Sequence, residues 1–221
     1  MRRIVVLSIL LSGISAVSLA QSVFTTRDLD HQYNMEISAP ESISILGGVD
    51  DQSHPILRSG GGFVHIKDWI GGQSAVQISA AQDVQVFGVK DRSSLTVLSA
   101  TDAFVERNIE GRSAVSIAAK GNVIIARVID GQSKVDVQGA SLTVAEKIGG
   151  RSSLTAKTTG NIILGGVVEG GATLTLTTPG TITIRRLFGS DTVVFYCAPA
   201  APVVDEVKDL PTVRKLDLCP Y

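Results

Sequence analysis

Apolar residues along this chain recur on two periods at once. Over short stretches they alternate with polar ones, as in Val76-Gln77-Ile78, Leu95-Thr96-Val97, Val115-Ser116-Ile117 and Val135-Asp136-Val137. A period of two predicts β-strands with one face buried. No window carries the 3.6-residue period of a helix. On the longer scale a similar unit opens at Val49, Ile70, Val89, Ile109, Ile129, Ile148, Val168 and Phe188, with spacings of 21, 19, 20, 20, 19, 20 and 20. A weaker unit precedes them, with Met35 and Ile37 followed by Ile43 and Ile45. A fixed period of this size marks a solenoid, a propeller or an array.

Counted from the opening residue, position 5 is Ser53, Ser74, Ser93, Ser113, Ser133 and Ser152. Positions 7 and 9 are aliphatic, and a turn rich in Gly, Asn, Asp and Thr follows. Apolar residues then resume at positions 15 and 17, as in Val84/Val86, Val123/Ile125 and Ile162/Leu164. Strands that recur in phase predict stacked coils, each strand pairing with its equivalents about 4.8 Å above and below. The expected fold is all-β: a right-handed parallel β-helix of about eight coils, the hand following from the crossover rule. Small serines suit a tight corner, and Gly72, Gly111, Gly131, Gly150 and Gly170 at position 3 suit a bend. One coil buries too few side chains to offset the entropy of ordering its backbone, so the units must stack. The rivals are an antiparallel meander and, more remotely, an outer-membrane barrel, which lacks its aromatic girdles here.

Four segments are expected: a leader at 1–20, an N-terminal cap at 21–34, coils at 35–197 and a C-terminal tail at 198–221. The leader has Arg2 and Arg3, an apolar run from Ile4 to Val17, and small residues before a cut after Ala20. That is a secretory signal peptide, too short to span a membrane. No later run is apolar enough to span. The chain is thus expected to be secreted or periplasmic, and its two cysteines, Cys197 and Cys219, to form a disulfide. Cys197 counts as outward-facing. Pro199, Pro202, Pro211 and Pro220 bar a regular strand from the tail, which should lie against the outside of the solenoid. There Val203, Val204, Val207 and Leu210 would cover an apolar outer face formed by Val64, Phe104, Ile124 and Ile163. The rival use of that face is self-association.

Composition narrows the function. Lys and Arg total 20 against 21 Asp and Glu, and removing the leader makes the balance more negative. A nucleic-acid binder needs the opposite sign. Hydrophobic residues at 44% argue against disorder. Gln73, Arg92, Arg112, Gln132 and Arg151 share position 4, and stacking would bring them into one row able to hold an anionic or hydroxyl-rich polysaccharide. A second cationic row comprises Lys67, Arg107, Arg127, Lys147 and Arg186, while Glu106, Glu110, Asp130 and Glu169 would neutralise much of the field. Asp83, Asp102, Asn122 and Asn161 recur at the turn, where local backbone bonding accounts for them better than calcium. The threonine run Thr173, Thr175, Thr177 is interrupted in other coils by Lys134 and Asp136, so it is no ice-matching array. His31, His54 and His65 accompany no catalytic motif, and Trp69 reads as packing. No metal, cofactor or catalytic residue is expected.

The unit I-x-G-[QR]-S-x-[VL]-x-[IVA], followed by G-N-[VI]-I-[IL], resembles those of adhesin-like parallel β-helix domains of exported bacterial proteins over residues 35–197. The resemblance rests on period and pattern. It implies a non-catalytic binding or structural module outside the cytoplasm, with a polysaccharide or cell-surface ligand as partner. Pectate-lyase-like enzymes share the architecture but carry longer coils with insertions and an acidic calcium cluster. A lyase or hydrolase of that fold is one alternative function, and a self-assembling envelope scaffold is another.

Overall fold

The computed structural model describes residues 16–18 and 22–219. They form a parallel β-solenoid of about ten turns, with no helix among the described residues. Every strand pairing among those residues is parallel. A hairpin meander is therefore excluded, because its neighbours run antiparallel. Each turn gives one strand to a first sheet, such as Ala114–Ala119, and one to a second, such as Asn122–Ile125. The core lies between the two sheets.

Stacking is in register along the whole axis. In the first sheet Val76, Leu95, Val115, Val135, Leu154, Leu174 and Val194 form one buried column. In the second, Val64, Val84, Ala103, Val123, Leu142, Ile162 and Ile182 form another. Alternation places these residues inside and their neighbours outside. The second sheet kinks where its register shifts, between Ile66 and Trp69 and between Leu164 and Val167. At the latter, a Cβ on Gly166 would lie 1.0 Å from the Glu146 carbonyl oxygen, so that bend requires glycine.

The coil count exceeds the expected eight because both ends join the stack. Val23–Thr26 pairs with Ser42–Ile45, and Leu29 bridges Val49, so residues 23–34 form a coil rather than a separate cap. At the other end, Val203–Lys208 pairs with the preceding second-sheet strand and Thr212–Lys215 with Val193–Cys197. The tail is thus a further coil, not a strap along the outside. Pro199, Pro202 and Pro211 lie between its strands, where a missing N–H is tolerated, and Pro220 lies outside the described residues. The last opening residue is Leu187, which pairs with Val168; Phe188 lies one place too late. Of the expected leader, only Ala16–Ser18 falls among the described residues, as a short strand beside Glu36–Ala39.

Several side chains of the tail and outer face sit differently from expectation, each for its own reason. Cys197 shares the row of Lys157 and Thr177, on the side opposite the core columns as expected, yet it is buried beside the last coil. It forms the disulfide with Cys219, which joins successive coils at a Cα–Cα distance of 5.5 Å. Val64, expected on the outer face, points inward in the column of Val84. Phe104, Ile124 and Ile163 do share one outward row, in the order Phe104, Ile124, Thr143, Ile163, Thr183, Val203. Val203 extends that row instead of covering it, and Leu210 projects from a corner. The tail's role is therefore to roof the core over Ile184, Leu187 and Val194. Truncation after Ala198 should lower Tm by about 5 °C or more and raise binding of a hydrophobic dye. An unchanged melting curve without dye binding would show that the last coil roofs nothing.

Candidate functional site

The five candidate residues meet at one corner, and its backbone is unusual. In six successive coils two consecutive residues, at positions 3 and 4, have positive φ: Asp51/Gln52, Gly72/Gln73, Asp91/Arg92, Gly111/Arg112, Gly131/Gln132 and Gly150/Arg151. The carbonyl before five of these pairs accepts from the N–H after it, for example Gly71 O from Ser74 N at 3.0 Å and Gly149 O from Ser152 N at 3.0 Å. Two left-handed residues spanned by such a bond make a type I′ turn. Glycine, Asn and Asp are the usual occupants. Position 4 instead holds Gln32, Gln52, Gln73, Arg92, Arg112, Gln132 and Arg151, with φ from 60° to 65°. A long side chain there costs about 1 kcal/mol of backbone strain per residue.

The neighbouring coils hold that strain. The N–H of each position-4 residue donates to the position-3 carbonyl of the next coil: Gln73 to Asp91 at 3.2 Å, Arg92 to Gly111 at 2.9 Å, Arg112 to Gly131 at 2.9 Å, Gln132 to Gly150 at 2.9 Å and Arg151 to Gly170 at 2.8 Å. Beneath the row runs the buried serine column. Ser53 N donates to Ser74 Oγ, Ser74 N to Ser93 Oγ and Ser133 N to Ser152 Oγ, at 3.1 to 3.2 Å. The hydroxyls of Ser113 and Ser133 donate to carbonyls three residues earlier. Serine suits this buried corner in six coils, being small and able to bond the neighbouring turn, while Ala172 fills the same place in a later one.

The side chains of the row are exposed. Arg92, Arg112 and Arg151 form no ion pair among the described residues. The acids expected to neutralise them are turned elsewhere: Glu110 accepts from Asn108, Glu106 from Gln85, and Asp130 and Glu169 flank Lys147 at 3.7 and 3.0 Å. Three members of the second cationic row, Arg107, Arg127 and Lys147, are engaged. Arg127 pairs with Glu146 at 3.0 Å, Arg107 lies over Phe87, and the Glu169 hydrogen bond holds Lys147 above its ordinary pKa. Sequence reasoning passed over Gln32 because Tyr33, not Ser, follows it. The L-x-x-Q frame from Leu29 was the available signal. Here the corner forms a shallow depression lined by His31, Gln32, Asp51 and Gln52.

The remaining candidates have structural partners. Asp83 accepts from the Thr101 hydroxyl and Asp102 N, Asp102 from Asn122 N, Asn122 from the Ser141 hydroxyl and Asn161 from Thr181 N. These side chains tie each turn to the next coil. Trp69 packs edge-on against Phe87 and lies where a Cβ on Gly88 would be 2.5 Å from its ring. His54 bonds Asn34, His31 pairs with Asp30, and His65 stacks on Phe63 with ring centroids 4.1 Å apart. Comparison with protein-family models, with curated proteins and with solved structures found no match.

Two measurements follow from these environments. Replacing Arg112 with Gly relieves the left-handed strain and should raise Tm by about 2 °C. A lower Tm would mean that the arginine side chain stabilises the corner. Burial holds His65 below its ordinary pKa of 6.5, with Lys67 adding to the effect. The unfolded chain therefore takes up this proton first. Stability from the neutral ring is present above pH 6.5 and is lost as pH falls through the folded value. His65→Gln should flatten the dependence of Tm on pH between about pH 7 and pH 5. Parallel profiles for the two proteins would refute that assignment.

Proposed function

We propose that this protein is exported, processed after Ala20, and acts outside the cytoplasm as a non-catalytic module that binds an acidic polysaccharide along its turn corner. The observation that carries this reading is the choice of residue at position 4. Seven successive coils place Gln or Arg in a left-handed conformation where Gly or Asn is favoured, and keep the head groups exposed. Strain retained where a cheaper residue fits is a reason to look for function at that position. The disulfide between Cys197 and Cys219 agrees with an oxidising compartment outside the cytoplasm.

The chemistry suits an extended chain laid parallel to the solenoid axis. Guanidinium forks offer paired donors to carboxylates, and primary amides offer a donor and an acceptor to hydroxyls. The row repeats at the inter-coil spacing of about 4.8 Å, so a polymer can contact several coils in succession. Each exposed contact contributes little alone, and affinity comes from their number.

The test uses the processed protein and immobilised polygalacturonate. Retention should weaken by about tenfold or more when Arg92, Arg112 and Arg151 are all changed to Ala. Alanine keeps the left-handed strain, so the loss reports the head groups. Retention should also fall with added salt, and no reducing or unsaturated ends should appear. Unaltered retention by the triple variant, or cleavage of the polymer, would overturn the reading.

A further inference from the structure

The two ends of the solenoid differ, and they match each other. Inward residues of the first coil are covered, with Leu29 at 2% and Met35 at 5% exposure. Their column mates in the last coil are open, with Val207 at 54% and Val213 at 41%. The two coils also have equal lengths. Thr26 to Leu29 and Val204 to Val207 each span three residues without a bulge. The residues from there to the left-handed pairs His31/Gln32 and Asp209/Leu210 match as well. A constant offset of 178 residues therefore superimposes residues 25–37 on 203–215.

Stacking the last coil of one copy beneath the first coil of another then fixes every neighbour. Val207 meets Leu29 and Val213 meets Met35, closing two core columns, while Lys215 stands over Ile37 at the end of a third. Asp205 meets Arg27, Lys208 meets Asp30, Asp209 meets His31 and Arg214 meets Glu36. One pair, Glu206 with Asp28, is of like sign. The backbone can continue its ladder, because Leu210 N–H stands where Gln32 N–H donates to the next coil. Pro211 occupies position 5, whose N–H elsewhere reaches a serine hydroxyl and not the next backbone, so its missing donor breaks no rung there.

One element stands in the way. Ala16–Ser18 pairs in parallel with Glu36–Ser38, the first-sheet edge that Thr212–Lys215 of another copy would need. We infer that cleavage after Ala20 removes this strand and opens the first coil, on which the last coil of a second copy then docks head to tail. The contact repeats at every free end, so it builds an open linear assembly and not a closed dimer. This inference rests on the processing step of the reading above and is independent of the polysaccharide.

The experiment compares chains beginning at Ile14 and at Gln21, both with the disulfide formed, by sedimentation velocity over a concentration series. Mass analysis of the exported protein separately reports whether the cut occurs, so failure of processing and failure of docking are distinguishable. The shorter chain should assemble with rising concentration, and the longer chain should remain monomeric. Neither Arg27 nor Asp205 makes an ion pair among the described residues, and both are exposed. Asp205→Arg should raise the concentration needed for assembly by about tenfold, and adding Arg27→Asp in the same chain should restore it. A monomeric shorter chain, equal assembly by both chains, or a charge swap that fails to restore assembly would each overturn the inference.

Discussion

Hydrogen bonding between successive coils is the constraint on which everything else in this molecule depends. A coil of about twenty residues has no core of its own, and the strand backbones find their partners one coil above and one below. Equivalent residues must then lie over one another. A side chain that fits once fits repeatedly, which is why serine recurs at one buried corner and branched aliphatics recur in the columns beside it. The left-handed turn follows as well. Its strain is tolerable at Arg92, Arg112 and Arg151 because each N–H is held by the carbonyl of the next coil.

The repeating body was legible in the sequence because one face is buried and the period is nearly constant. Alternation identified the strands, and the serines fixed the phase. The ends were harder to read. Tyr33 replaces the corner serine in the first coil, and Pro211 replaces it in the last, so both coils lose their most visible marker. Prolines also suggested irregular chain, although Pro199, Pro202 and Pro211 fall between the strands and leave them intact. The Val-Lys-Asp string at 89–91 returns at 207–209 and was the available clue. Phe188 was one place out of phase because an extra residue lies in its corner, and period counting has no means of locating an insertion within a unit. The burial of Cys197 was not legible because it depends on the last coil, whose strands the prolines hid.

The candidate site was legible as a row but not as a conformation. Equal spacing was enough to bring Gln73, Arg92, Arg112, Gln132 and Arg151 together. Nothing in those letters announces positive φ, since Gln and Arg rarely adopt it. The fate of the nearby acids was equally hidden. Whether Glu110 faces Arg112 or Asn108 depends on side-chain direction at a bend, and the spacing is compatible with both. The turn residues Asp83, Asp102, Asn122 and Asn161 show a related case: residue type pointed to local backbone bonding, whereas their bonds reach the next coil, and the partner of Asn122 is the Ser141 hydroxyl.

The disulfide has a mechanical consequence. A one-dimensional stack frays from its termini, because a terminal coil has a neighbour on one side only. Cys197 and Cys219 bind the final coil covalently to the one before it. One of the two points from which the stack could unzip is thereby locked. Unravelling under heat or tension acquires a direction, starting at the first coil and running toward the crosslinked end, much as a zipper with a stop at its base opens only from the top.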